Sequence, residues 1–277
     1  MQNLIRRIIN CSCGLLFLAA ALGQEIPADR VSVPFRDPSR PGKVKANLMS
    51  GGITVTGYGG KEVVVEAWLR GVKPPNKESQ QGEGLKRSEI ATTGLTVEEE
   101  ENVVSVGTGP KGCEVDLKIQ VPRATSLKLG CVNDGNILVE NVEGEIEANN
   151  LNGSVTLTNV SGVVVAHSLN GAVVTQMEKV TPDKPMSFST LNGDIDVTLP
   201  AVIKATVKME TQQGSIYSDF DIDLDKNPRQ PTVEDGRKEG GKYRIVFDKG
   251  VVGSINGGGP EIQFKTVNGS IHIRKGK

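Results

Sequence analysis

The 277-residue sequence is poor in aromatic side chains, with Phe, Trp and Tyr making up only 4% of it. Its core must therefore come from Val, Ile, Leu and Ala, and no row of aromatic sugar-stacking platforms can be read from it. Histidine is scarcer still, at two residues, and there is no Cys-x-x-Cys or His-x-x-x-His spacing. His167 and His272 fall at outward positions of different repeats, so a zinc site is not expected. Charge of one sign is also missing: 32 Lys and Arg face 33 Asp and Glu. Without a basic stripe, nucleic acid is not an expected partner. Sustained helical spacing of apolar residues is absent beyond the N-terminus. There is no nucleophile elbow, dinucleotide fingerprint or phosphate loop, and "GYGGKE" at 57–62 lacks the spacing and hydroxyl residue of the last. No enzyme, cofactor or metal is expected from these motifs.

No stretch after the first two dozen residues is long and apolar enough to span a membrane. The first 23 residues themselves carry Arg6 and Arg7, an apolar run to Leu22 and small residues before Gln24. That pattern predicts a signal peptide over 1–23 and an exported protein, periplasmic or at the cell surface, with no transmembrane segment in the mature chain. Residues 24–43 then form an N-terminal extended segment, and 44–277 a single β domain with polar loops near 73–87 and 225–242. Export permits a disulfide between the two remaining cysteines, Cys113 and Cys131, which lie one 18-residue repeat apart; two buried thiols are the alternative.

Glycine, by contrast, is abundant, at 33 residues. Gly135, Gly144, Gly153, Gly162 and Gly171 recur in steps of nine. Two residues after each stands Ile137, Ile146, Val155, Val164 or Val173. Four residues after, the series reads Val139, Ala148, Leu157, Ala166 and Thr175; seven residues after, Val142, Leu151, Val160 and Leu169, read as a third apolar contact beyond a bend. Alternation of large with small residues makes the true unit 18 residues, two short strands and two corners. Such self-similarity predicts an all-β fold, a single-stranded β-solenoid of the parallel β-helix kind with coils of about 18–22 residues; isolated Asn-Gly hairpins are the competing reading. Asn152-Gly153, Asn170-Gly171, Asn192-Gly193, Asn268-Gly269 and Gly214 mark corners, where Asn-Gly suits a positive φ and stacked asparagines can bond one another. The longer intervals after Gly171 predict small corner insertions.

Two surface features have a functional reading. Leu138, Val163, Val165 and Val174 are apolar at outward positions, which implies either cover by the strand-like segment 62–70 or a partner surface. The acid pairs Glu145/Glu147 and Asp194/Asp196 project from outer faces, as a polysaccharide-cleaving enzyme would require, and as any solvated strand face also does. Acids alternating with Phe220, Ile222 and Leu224 over 219–225 suggest an amphipathic strand rather than a calcium loop.

Several motifs together resemble a bacterial family of exported β-strand-repeat proteins known as putative adhesins, a domain of unknown function. They are "GGITVTGYGGKEVVVEA", "EVDLKIQVPRATSLKL", the "LNG" corners, "GSIYSDF" and "GGGPEIQFKTVNGSIHI", covering most of 44–274. The resemblance implies a β-solenoid in or outside the cell envelope and carries over no catalytic residues. The expected function is a non-enzymatic, adhesin-like interaction module whose partner is a protein or glycan of the envelope. A carbohydrate-active enzyme on a β-helix scaffold, or a component of an envelope-stress sensing system, are the alternatives.

Overall fold

Strict alternation of β-branched and polar residues leaves the chain one low-energy arrangement: extended strands with one wet and one dry face. The computed structural model describes residues 29–70, 93–109, 114–225, 232–235, 243–246 and 250–277. The segment 1–23, the polar stretch 73–87 and Cys113 lie outside them. Among the described residues there is no helix. The strands are β1 Asp29–Pro34, β2 Gly42–Ser50, β3 Ile53–Tyr58, β4 Glu62–Leu69, β5 Thr96–Glu100, β6 Val103–Gly107, β7 Val115–Pro122, β8 Thr125–Asn133, β9 Ile137–Glu140, β10 Glu143–Asn152, β11 Val155–Asn170 and β12 Val173–Val180. They continue as β13 Met186–Asn192, β14 Ile195–Leu199, β15 Ala205–Glu210, β16 Ile216–Ser218, β17 Ile222–Leu224, β18 Thr232–Asp235, β19 Tyr243–Val246, β20 Val251–Ile255, β21 Glu261–Lys265 and β22 Ile271–Lys275.

Among the described residues twenty strands hydrogen-bond into one sheet of mixed orientation; β18, within the expected polar loop, and β19, directly after it, form a separate antiparallel pair. The pairings resolve into two ladders joined by the long strand β11. The first runs β5, β6, β2, β8, β10, the second half of β11, β13, β21, β15, β20, β17. The second runs β1, β4, β7, β3, β9, the first half of β11, β12, β14, β22, β16. From β6 to β15, and from β7 to β16, neighbours are parallel; β5, β1, β4, β20 and β17 are antiparallel additions at the two ends.

Ile137, Val155 and Val173 stand side by side in the second ladder, so the 18-residue interval read from the glycines is the hydrogen-bonded register there. The next partner, Ile195, comes 22 residues on, after an insertion. The all-β class therefore holds, but the uniform succession of coils does not. Strands β2 and β3 sit between β6–β7 and β8–β9, and β21–β22 sit between β13–β14 and β15–β16. At each end the chain skips a level that another segment fills.

The inward positions of both ladders form one aliphatic core that includes Ile53, Leu129, Ile146, Leu157, Ile195 and Ile271. Apparent alternation of large and small residues has a simple cause. Ala148 and Ala166 neighbour each other on the first ladder, and Val139 and Leu157 on the second. Further along, the alanine column widens to Phe188 and Phe264, stacked with centroids 5.5 Å apart.

Glycine at the corners has a different reason from the one expected. Gly51 and Gly162 do hold left-handed φ values of 117° and 120°, but Gly135, Gly144, Gly171, Gly214 and Gly269 do not. What the whole column shares is proximity: a Cβ at Gly153 would strike the Gly135 carbonyl, one at Gly171 the Gly153 carbonyl, one at Gly193 the Gly171 carbonyl. Any side chain there would force adjacent windings apart.

Candidate interaction surface

The corners that follow the first ladder build two polar columns. On the inside, a side chain three or four residues before the glycine, buried in every case but the half-buried Thr211, donates to the glycine carbonyl of the adjacent winding. Asn150 Nδ2 reaches Gly135 O at 2.9 Å, Ser168 Oγ reaches Gly153 O at 2.9 Å, and Thr190 Oγ1 reaches Gly171 O at 2.8 Å. Thr266 Oγ1 reaches Gly193 O at 3.0 Å and Thr211 Oγ1 reaches Gly269 O at 2.8 Å. Cys131 fills the same rung: its buried thiol donates to Gly51 O at 2.8 Å, and burial pushes its pKa up. Its expected partner Cys113 lies outside the described residues; the position of Cys131 is one otherwise held by Thr, Ser or Asn. This column was legible as "TLNG", "SLNG", "NLNG", "TVNG" and "TQQG" but was not recognised from the sequence.

On the outside, asparagine amides form the second column. Asn152 donates to Asn133 at 3.0 Å, Asn170 to Asn152 at 2.8 Å, Asn192 to Asn170 at 2.7 Å and Asn268 to Asn192 at 2.6 Å. Each amide between the ends spends one of its two N–H groups and one oxygen lone pair along the column.

Between each inner donor and its asparagine stands one more residue, and strand alternation turns it outward. Registers place Met49, Val132, Leu151, Leu169, Leu191 and Val267 in a single file, one per winding. Met49 is 57% exposed, Leu151 41% and Leu191 38%; Val132, Leu169 and Val267 are half-buried. Leu151 and Leu169 were expected to point inward beyond a bend; of that series only Val142 and Val160 are buried. The difference arises because the 18-residue unit has two unlike corners, one after each ladder. The neighbouring file on the same face is Asn47, Gly130, Asn149, His167 and Ser189, uncharged over five windings before Lys265 takes the sixth, with His167 Nδ1 2.9 Å from Ser189 Oγ. Together these files make a flat, uncharged strip along the axis.

The residues singled out by sequence do not form one patch. Val163 and Val165 lie on the outer face of the first ladder, Leu138 and Val174 on that of the second, separated by Thr156. Val163 is half-buried and the other three are 40% exposed. Strand β4, expected to cover them, instead lies in the plane of the second ladder beside β7 and turns Val63, Val65 and Ala67 into the core.

Val163 and Val165 line a shallow groove of about 250 Å³ with Glu145, Glu147, Lys43 and Lys184. Lys184 Nζ contacts Glu145 at 2.5 Å and Lys128 Nζ contacts Glu147 at 2.9 Å. The hydrogen bonds from Lys184 and Lys128 hold these two carboxyls below the usual glutamate range. The second acid pair is also engaged: Asp196 accepts a bidentate pair from Arg274 at 2.7 and 2.8 Å, and Asp194 Oδ1 accepts the Ser270 N–H at 2.7 Å. His272 is half-buried and stacks on the exposed Tyr217 ring at 4.9 Å. No group of three metal-ligating side chains occurs among the described residues.

A larger cleft, about 510 Å³, opens where the expected corner insertions fall. Pro182, Pro200, Val202, Ile203, Lys204 and Pro260 are among its walls. Asn256, at φ 49°, donates to Ile203 O at 2.7 Å and pins the 200–204 insertion to the turn before β21.

No protein-family model matches the chain, and no curated protein matches it. Among solved structures it is similar to a putative cell adhesion protein from Clostridium sporogenes ATCC 15579, at 13% identity, with 90% of this chain and 99% of that one covered and a TM-score of 0.42. It is also similar to a putative adhesin from Bacteroides fragilis NCTC 9343, at 12% identity, with 89% and 96% covered and a TM-score of 0.33.

Proposed function

We propose that this chain is an exported, non-enzymatic β-solenoid that serves as an adhesin-like interaction module of the cell envelope. The reading of the fold as a solenoid rests on the parallel windings, their 18-residue central register and their continuous corner columns. The reading of the function rests on one observation: a lateral strip of exposed Met49, Leu151 and Leu191, bordered by an amide column, runs along five windings of the stack without a charged residue. A rigid, repeating face of this kind suits an extended partner better than a small substrate. The signal-like N-terminus supports export.

The test is retention of envelope fractions by the immobilised mature chain. Leu151→Thr together with Leu191→Thr keeps β-propensity and removes apolar area that the core does not use. It should abolish retention while leaving Tm unchanged. Undiminished retention by this variant would remove the strip from the function.

A further inference from the structure

We infer that the occupant of the strip is an uncharged glycan chain lying along the stacking axis. This rests on the proposed interaction role and names the chemistry it would serve.

The size of the strip selects the kind of partner. The five uncharged windings, four steps of about 4.8 Å, give a length of roughly 19 Å. Across the face, the strip reaches from the Asn149–His167 file to the asparagine column, about three residues or roughly 10 Å. That footprint is well under half of the ~800 Å² per partner that a stable folded interface needs. A globular protein or a second copy of this chain would have to extend onto the charged files beside it. There Lys45, Lys128 and Glu147 stand in register on adjacent windings. A single extended polymer fits inside the uncharged boundary.

Chemistry then favours a glycan over a peptide. An extended peptide repeats its polar groups about every 6.7 Å, two residues, and so falls out of step with rungs spaced at about 4.8 Å. A β-linked chain of pyranose rings advances by close to one rung per ring. Hydroxyl groups both donate and accept, as do the asparagine amides, each of which keeps a second N–H and a second lone pair free of the column. Leu151, Leu169 and Leu191 present aliphatic surface to the C–H faces of the rings. Absence of charge from the strip excludes the guanidinium or lysine contacts that an acidic polysaccharide would recruit.

The experiment is calorimetric titration of the intact mature chain with three probes: a neutral β-linked hexasaccharide, the corresponding disaccharide and an oligouronate. The hexasaccharide should bind with an affinity insensitive to salt, the disaccharide about tenfold or more weaker, and the oligouronate not at all. Leu151→Thr/Leu191→Thr and, separately, Asn170→Asp should each weaken hexasaccharide binding about tenfold or more, with far-UV circular dichroism unchanged. Preference for the oligouronate would overturn the inference. So would failure of every neutral hexasaccharide tested while envelope protein is still retained, which would leave the interaction role standing without the glycan. Concentration-dependent dimerisation lost in the leucine variant would assign the strip to a second copy instead.

Discussion

The central windings, residues 125–199, and the two ends solve different problems with the same strands. In the centre the chain climbs one level at a time, and each new strand finds its partner 18 to 22 residues back. At the ends it does not. The winding of β2 and β3 is enclosed between two later ones, and the last strand, β22, lies between β14 and β16. Sequential windings could be added or frayed singly, as in any one-dimensional stack. Terminal strands enclosed on both sides cannot leave without breaking two strand pairings at once. Outside them, β5 with Glu98, Glu99 and Glu100, β1 ending in Pro34, and β17 with Asp223 place charge or proline on edges that would otherwise recruit further strands.

The largest expected effect breaks that enclosure. Deleting residues 271–277 removes a strand bonded on both sides and should abolish cooperative unfolding of the C-terminal windings. Native-state hydrogen exchange should then show protection lost over 186–218 and kept over 125–170. Protection retained throughout would mean that the enclosed strand contributes little.

A smaller but still severe effect is expected in the centre. Gly162→Val combines a left-handed φ with a clash against the Gly144 carbonyl, and should cost more than about 3 kcal/mol. At the end of the stack Gly257→Ala meets open space and is strained only by its φ of 87°, for about 1 kcal/mol. Denaturant titration of both variants compares the two kinds of glycine directly; equal losses would refute the proximity argument.

The inner polar column allows a test of sign. Thr190→Val leaves the Gly171 carbonyl without its buried donor and should cost about 1–3 kcal/mol. Thr175, buried in the same winding system, has a hydroxyl with no partner, so Thr175→Val should be neutral or stabilising by thermal melting. Cys131→Ser preserves a donor on its rung and should resemble neither loss nor gain.

The smallest effect concerns the charged half of the outer face. Glu145 and Glu147 have carboxyls held below their ordinary values by Lys184 and Lys128. A depressed carboxylate stabilises the fold above the unfolded-state pKa, and that contribution disappears as pH falls through the folded value. Both glutamates are more than a third exposed, so no more than a few tenths of a kcal/mol is expected from each. Melting in acid against neutral buffer should show this difference in wild type at low salt, and a smaller one in Glu145→Gln/Glu147→Gln.

Much of this was readable from the chain. Nine-residue glycine steps gave the corners, and residues two and four after each glycine gave inward positions such as Ile137, Val139, Ile146 and Ala148, all buried. Longer glycine intervals pointed to corner insertions, and those insertions wall the 510 Å³ cleft. Two points misled. Leu151 and Leu169 read as core because apolar character does not say on which side of a corner a residue turns. Leu138, Val163, Val165 and Val174 read as one patch because a linear repeat does not reveal that its alternate strands face opposite ways.

Local chemistry by itself determined that this protein would be built of short strands and glycine corners, since alternation and the lack of room for a Cβ are properties of neighbouring residues. Only the tertiary structure decided which winding lies beside which. Register between distant segments such as β2 with β8, or β22 with β16, depends on closing long stretches of chain, and no interval within the sequence records it.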